Sequence, residues 1–243
     1  MEKKEKIRLK PSQNSICGSS YNLLNVKLLN GCNGKCEFCI AAGTPVKKSA
    51  DAQRFIDTAN SMTKFSKVDI LGGEPTLYPN LLEILKGIRP YKDDIGIISN
   101  GSNLKRIKEC LPYLDTVTLS IHSFDYSKNS TGICINEEEL RDLNKNKGNV
   151  ETISTVVITK ETVSNLEEIK DYAKKAKELG FSAIKLMELV TSNENIGFYW
   201  FTGFIDKIWY SSKKCYIKRL FFWITRVIRV FRNKNLYKIM LSI

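Results

Sequence analysis

Residues 32–39 read Cys-Asn-Gly-Lys-Cys-Glu-Phe-Cys, which sets three cysteines at C-x3-C-x2-C spacing just after an apolar stretch. Ordinary iron–sulfur clusters take four thiolates. A loop offering three can hold three corners of a four-iron cluster and leave the fourth iron open to a small molecule. Gly34 permits the tight backbone curvature such a loop needs. Spacing alone also admits a zinc site short of a fourth ligand, or an accidental grouping. Zinc ligands usually come as two pairs, however, and the only histidine in the chain is His122.

The second chemistry-bearing stretch is Gly72-Gly73-Glu74-Pro75, directly after an apolar strand candidate. Its glycines let backbone approach a ligand closely, and a carboxylate at a strand end can accept hydrogen bonds from an ammonium group. An ordinary strand–helix turn with an exposed glutamate would read the same way in isolation.

The elements that must position these residues alternate along the chain. Strands are expected at Leu23–Leu29, Val68–Leu71, Ile95–Ser99, Thr116–His122, Thr152–Ile158 and Ala183–Val190. Helices are expected at Ala50–Thr63, Asn80–Ile88, Leu104–Tyr113, Asn136–Lys145 and Ser164–Leu179. In the last helix Ser164 and Glu167 read as a capping box and Gly180 as the stop. Thr116–His122 alternates: Val117, Leu119 and Ile121 share one face, and Thr116, Thr118, Ser120 and His122 share the other. The polar face would meet a lumen. Six β/α units imply a parallel sheet with right-handed crossovers. They are too few for a closed eight-stranded barrel, so the fold class is α/β, a partial (β/α)6 barrel. Ligands would lie at the carboxyl ends of the strands. The cysteine loop, Gly72–Pro75, Ser99–Gly101 and Ser120–His122 all fall there.

Composition sets the frame. The chain has 243 residues, 42% hydrophobic and 26% charged, enough for one full core with an appendage. The charged start lacks the apolar segment of a secretory signal, and no run of about 20 apolar residues suggests a spanning helix. A cytoplasmic location is expected, where cysteines act as metal or redox ligands rather than disulfides. Cys17, Cys110, Cys134 and Cys215 stand alone and read as small buried hydrophobes. The net charge of +12 is concentrated: from Asp206 to the end there are ten Lys/Arg and one acid, +9, which leaves +3 elsewhere. That distribution argues against nucleic-acid binding by the whole molecule. The division expected is an N-terminal extension over 1–19, a core over 20–192 and a basic tail over 193–243.

Taken together, C-x3-C-x2-C after the first strand and Gly-Gly-Glu-Pro after the second resemble the radical S-adenosylmethionine (SAM) superfamily, over about residues 20–190. The resemblance implies that Cys32, Cys36 and Cys39 hold a [4Fe–4S] cluster whose open iron takes the amino and carboxylate groups of SAM. It implies that Gly72, Gly73, Glu74 and Pro75 hold the amino group and that Phe38 lies near the adenine. Ser120 would contact the ribose or carboxylate, and Ser99 and Asn100 would complete the cofactor site. The implied reaction is reductive cleavage to methionine and a 5′-deoxyadenosyl radical that takes hydrogen from a substrate. A reductase, flavodoxin or ferredoxin would supply the electron.

Within that superfamily, Gly72–Leu77, Ser99–Gly101, Ser120 and the Ile184–Val190 strand resemble the GTP 3′,8-cyclase branch. The departures bear on substrate. Asn25 and Asp69 stand where that branch has arginines, Glu151 where it has a lysine, and Val190 where it has a methionine. Its second cluster is missing, since only Cys215 follows residue 190. Losing cations and gaining acids argues against a triphosphate, and the missing second cluster argues against the twin-cluster peptide-modifying branch; the substrate expected is a peptide or small metabolite that the sequence does not name. Ser123-Phe124-Asp125 echoes the viperin-like nucleotide dehydratases, an alternative of the same class. His122 reads either as a hydrogen-bonded structural residue or as a group reaching the site.

In the tail, Lys218, Arg219, Arg226, Arg229 and Arg232 fall on one side of a helical wheel over 217–231, and Leu220, Trp223, Ile224, Val227, Ile228 and Phe231 on the other. A cationic amphipathic helix there would pack on the barrel, touch an anionic membrane surface or dock an acidic partner. Two readings of another class stand beside the enzyme: a non-catalytic cluster- or zinc-binding module, and a membrane-docked accessory protein.

Overall fold

The computed structural model describes residues 22–36, 38–39, 51–125, 131–159 and 162–187. It also describes the backbone of Glu188, Val227–Asn233 and Leu236–Ser242. Six strands, β1 (Leu23–Lys27), β2 (Lys67–Leu71), β3 (Asp94–Ser99), β4 (Thr116–Ser120), β5 (Glu151–Ile158) and β6 (Ala183–Glu188), run parallel and side by side in chain order. The helices α1 (Ala52–Ser61), α2 (Leu81–Ile88), α3 (Leu104–Cys110), α4 (Glu137–Lys145) and α5 (Leu166–Glu178) make the five crossovers. Sequential strand order with right-handed crossovers puts every helix on one face and leaves the other face concave. The sheet is open, since β1 and β8 are its two ends.

The apolar pattern decides which side chains meet the helices. On α2, Leu81, Ile84, Leu85 and Ile88 recur at helical spacing and are fully buried, each worth about 1.5–3 kcal/mol. They pack with Val68, Ile70, Ile95, Ile97, Val117 and Leu119 in one core that spans β1–β4 and α1–α4. A second cluster joins β5 and β6 to α5 through Val156, Ile169, Tyr172, Ala176, Ile184 and Leu186. The alternate strand positions therefore line the interior. The register sets Asn25, Asp69, Gly96, Thr116 and Glu151 side by side across five strands. Nearer the carboxyl ends it sets Ser120, Thr155 and Lys185 side by side.

Three expectations are corrected. The cap of α5 is one residue later than the Ser164–Glu167 box: Asn165 Oδ1 accepts from Glu168 N at 3.0 Å, and the Glu168 carboxylate reaches back to Ser164 N at 2.6 Å. This phase turns Ile169, Tyr172 and Ala176 into the core. Gly180, at φ +86°, ends the helix as expected, with Phe181 N on Ala176 O. Cys110 is buried but Cys134 is exposed, and Cys17 and Cys215 lie outside the described residues.

The third correction concerns the tail. Val227–Asn233 is strand β7, antiparallel to β6, and Leu236–Ser242 is strand β8, antiparallel to β7. The amphipathic helix is therefore absent from the described part of 217–231. The β-branched Val227, Ile228 and Val230 favour extended backbone, and the free edge of β6 offers it a hydrogen-bonding partner. Residues 217–226 lie outside the described residues. Among the described residues no helix is long and apolar enough to cross a membrane.

Candidate cofactor site

The cysteine loop leaves β1 at the carboxyl edge of the sheet. Leu28 N bonds Leu71 O, and beyond it the loop packs backbone to backbone against the Gly72–Pro75 turn. Gly73 N bonds Leu29 O and Glu74 N bonds Gly31 O, both at 2.9 Å. A Cβ on Gly72 would lie 2.8 Å from Leu29 O, and a Cβ on Gly73 would overlap the Gly31 carbonyl. The two glycines thus serve close approach of one turn to the other. Gly31 was not singled out from the sequence, although a second glycine beside the cysteines hints at a backbone contact.

Within the loop, Gly34 N donates to Cys32 Sγ at 3.3 Å, and Cys39 N bonds Cys36 O at 3.1 Å. A Cβ on Gly34 would lie in ordinary contact 3.5 Å from Cys32 Sγ and 3.7 Å from Cys36 Sγ, so the glycine sits between two thiols. Cys32 and Cys39 are exposed and Cys36 is half-buried. Burial, and then the proximity of Cys39 and Cys32, push the Cys36 thiol up to about 11. Three thiols crowded in this way would repel one another on ionising, so as ligands they need a cationic centre to share. Among the described residues no three Cys, His, Asp or Glu side chains gather closely enough for a single metal ion. A partly open, soft-ligand set around a glycine curl fits a cluster with an accessible corner.

Glu74 carries the link from the turn to the cysteines. It is fully buried, and its carboxylate is occupied: Oε1 accepts from Thr76 N (3.0 Å), Thr76 Oγ1 (2.6 Å) and Ser99 Oγ (2.8 Å), and Oε2 accepts from Asn100 N (2.6 Å). Asn100 Nδ2 in turn lies 3.6 Å from Cys32 Sγ and 2.8 Å from Asn33 Oδ1. The expectation that this carboxylate is free for an ammonium group is thereby narrowed: Glu74 spends its oxygens on orienting Asn100 over the cysteine loop. Pro75 opens a one-turn 3-10 helix over Pro75–Leu77, in which Pro75 and Thr76 are buried and Leu77 is exposed. Thr76, which the sequence reading passed over, supplies two of the four donors.

On the opposite side of the loop, Phe38 stacks edge-on against His122, with ring centroids 4.8 Å apart and planes at 81°. His122 is buried, and its Nδ1 accepts from Val157 N at 3.2 Å. It therefore carries its proton on Nε2, and burial lowers its pKa to about 4. The imidazole replaces the backbone of β4 where that strand ends and β5 continues. Thr131 O accepts from Lys35 N at 2.8 Å and ties the loop after β4 to the cysteines. Ser120, half-buried at the end of β4, shares the interior face with Thr155 but has no direct link to the cysteine loop among the contacts described.

A family model for the radical SAM superfamily matches residues 26–196. The chain belongs to this superfamily. Radical SAM proteins are enzymes that use a [4Fe–4S] cluster and SAM, and these are the cofactors of this chain. Among curated relatives, a probable GTP 3′,8-cyclase of Thermococcus kodakarensis is 30% identical over 211 residues, 81% of this chain and 64% of its own length. An S-adenosylmethionine-dependent nucleotide dehydratase of Flammeovirga pacifica is 32% identical over 116 residues, 44% of this chain and 40% of its own length. The radical SAM chain therefore spans less than two-thirds of either relative. Among solved structures, Streptococcus suis SuiB bound to S-adenosylmethionine superposes with a TM-score of 0.61 at 19% identity, over 77% of this chain and 46% of that one. Native anSMEcpe with bound AdoMet and a peptide gives 0.61 at 18%, over 78% and 60%. At such identities the likeness shows a shared radical SAM fold.

Proposed function

We propose that this enzyme cleaves SAM reductively, with Cys32, Cys36 and Cys39 as the ligands of three irons, and that its substrate is a peptide or small metabolite other than GTP. The observation that carries the first part is the convergence of three strand ends on one loop: Gly73 against Gly31, Glu74 on Asn100, and Asn100 on Cys32. When bound, the cluster and SAM supply an electron and a 5′-deoxyadenosyl radical able to take hydrogen from an unactivated carbon. The chain's own residues position and shield. Backbone groups of Gly72–Glu74 flank the methionyl end, Phe38 walls the adenine and His122 braces Phe38. Ser99 and Asn100 keep the turn closed, and Ser120 offers a hydroxyl to the ribose or carboxylate. A flavodoxin-, ferredoxin- or reductase-type donor delivers the electron.

The interior row supports the exclusion of GTP. Asn25 and Asp69, which stand where the resembling cyclases have arginines, are register partners, and Glu151 ends the same row. A triphosphate placed there would meet two carboxylates and no cation from this row. A nucleotide-modifying enzyme is the second reading, favoured by the cyclase and dehydratase relatives.

The deciding experiment is anaerobic reconstitution followed by reduction with dithionite in the presence of SAM. About four irons per chain and release of 5′-deoxyadenosine are expected, and Cys36→Ala should abolish the brown chromophore. One zinc and no iron, or an intact cluster that never cleaves SAM, would overturn the enzyme reading. Hydrogen abstraction from GTP would overturn the substrate reading.

A further inference from the structure

Strand β5 carries hydroxyls on both of its faces. Ser154 faces the helix layer, where it hydrogen-bonds the Tyr172 hydroxyl of α5. Thr155, next along the strand, therefore points into the concave interior. It is 4% exposed, and its Oγ1 has no hydrogen-bond partner among the described residues. A buried hydroxyl left unpaired is costly, and native structures rarely tolerate one without a reason.

The register names its surroundings. Ser120 of β4 and Lys185 of β6 are its direct neighbours, each about 5 Å away across the sheet. Lys185 shares the interior face with Thr155, and its charge is felt at Asp69 of β2. Burial and then Asp94 push the Asp69 carboxyl up, while Lys185 and Lys67 pull it down. The Asp69 side chain lies across β3 at Gly96, where a Cβ would overlap its carboxylate. The interior thus presents a hydroxyl and an ammonium on one wall and a carboxylate on the other. That is a dipolar lining. A polyanion would be repelled by Asp69, Asp94 and Glu151, and a simple cation by Lys185 and Lys67.

We propose that Thr155, Lys185 and Asp69 form a subsite for the zwitterionic head of a free amino acid or peptide end, with its carboxylate on Thr155 Oγ1–H and Lys185 and its ammonium on Asp69. The proposal rests on the SAM-cleaving reading and specifies its substrate class. Ser120, the residue proposed to meet SAM, is one strand from Thr155. A head group bound at Thr155 and Lys185 therefore lies beside the cofactor.

The test uses the full chain with its cluster and SAM, and the twenty free L-amino acids as probes, each with its methyl ester and N-acetyl derivative; inorganic phosphate and GTP serve as controls. Binding is read by equilibrium dialysis. At least one free amino acid is expected to bind, with esterification or N-acetylation each weakening it by about tenfold, the loss of one charged hydrogen bond. Thr155→Val and Lys185→Met should reproduce the effect of esterification and add nothing to it for the ester. Thr155→Ser should restore binding, which a purely structural role would not require. Asp69→Asn should remove the discrimination against the N-acetyl form. Absence of binding by every amino acid, tighter binding of GTP or phosphate, or indifference to Thr155→Val and Lys185→Met would overturn the subsite. Release of 5′-deoxyadenosine by the unsubstituted protein is scored separately. If it occurs without amino-acid binding, the subsite falls and the enzyme reading stands. If amino acids bind as described but SAM is never cleaved, the reverse holds.

Discussion

Glu74 and His122 have assignments that follow from their hydrogen bonds rather than their residue types. His122 is neutral because burial and the Val157 N–H on its Nδ1 both disfavour a second proton. Its folded pKa of about 4 lies below the ordinary value of 6.5, so between those two values the unfolded chain binds the extra proton. Stability from this residue is complete above pH 7 and falls as pH drops through 6.5. The loss reaches about 2 kcal/mol by pH 5. Urea unfolding at pH 7 and pH 5 should show it, and His122→Gln should flatten that part of the profile. A second residue-scale expectation concerns Gly73. A methyl group there would overlap the Gly31 carbonyl and crowd Cys32 N, so Gly73→Ala should cost about 1–3 kcal/mol. It should also lower iron content after reconstitution, because the strain falls on the cysteine loop. Unchanged unfolding and full iron loading would refute the close-packing role.

At the scale of elements, the end of β2 is fastened to the end of β3 by one carboxylate. Glu74→Gln keeps the volume but turns an amide group toward four donors, Thr76 N, Thr76 Oγ1, Ser99 Oγ and Asn100 N. The expected loss is about 1.5–3 kcal/mol, and Asn100 would no longer be held against Cys32. Chemical unfolding and iron analysis of the variant measure both consequences. The β/α alternation was legible because each strand and helix repeats its apolar period locally, as in α2 and in Thr116–Ser120. The cap of α5 was misplaced by one residue because Ser164 and Asn165 are both competent caps. The choice depends on which helical phase buries Tyr172. The tail read as a helix because Arg and apolar residues recur at a spacing that also tolerates a strand. The partner that selects the strand, the edge of β6, lies some 40 residues away.

For the whole molecule, the sheet ends in β7 and β8, which cover the outer edge of β6 with antiparallel pairing. A chain ending at Asn195 would expose that edge, and exposed edges template association. Gel filtration should show self-association of the shortened protein and none of the full chain; a monomeric truncation would deny the covering role. The sequence by itself determined the motifs and elements that depend on local spacing. Cys32, Cys36 and Cys39, the Gly-Gly-Glu-Pro turn and six β/α units can be read because each constraint is met within a few residues. Tertiary structure decided everything that joins distant positions. Asn100 reaches Cys32 across 68 residues of chain, and Ser99 reaches Glu74 across 25. Asn25, Asp69 and Glu151 become one row, and Thr155 becomes a hydroxyl beside Lys185 that is unpaired among the described residues. Pairing register and burial are properties of the folded sheet, and no local pattern encodes which strands will lie side by side.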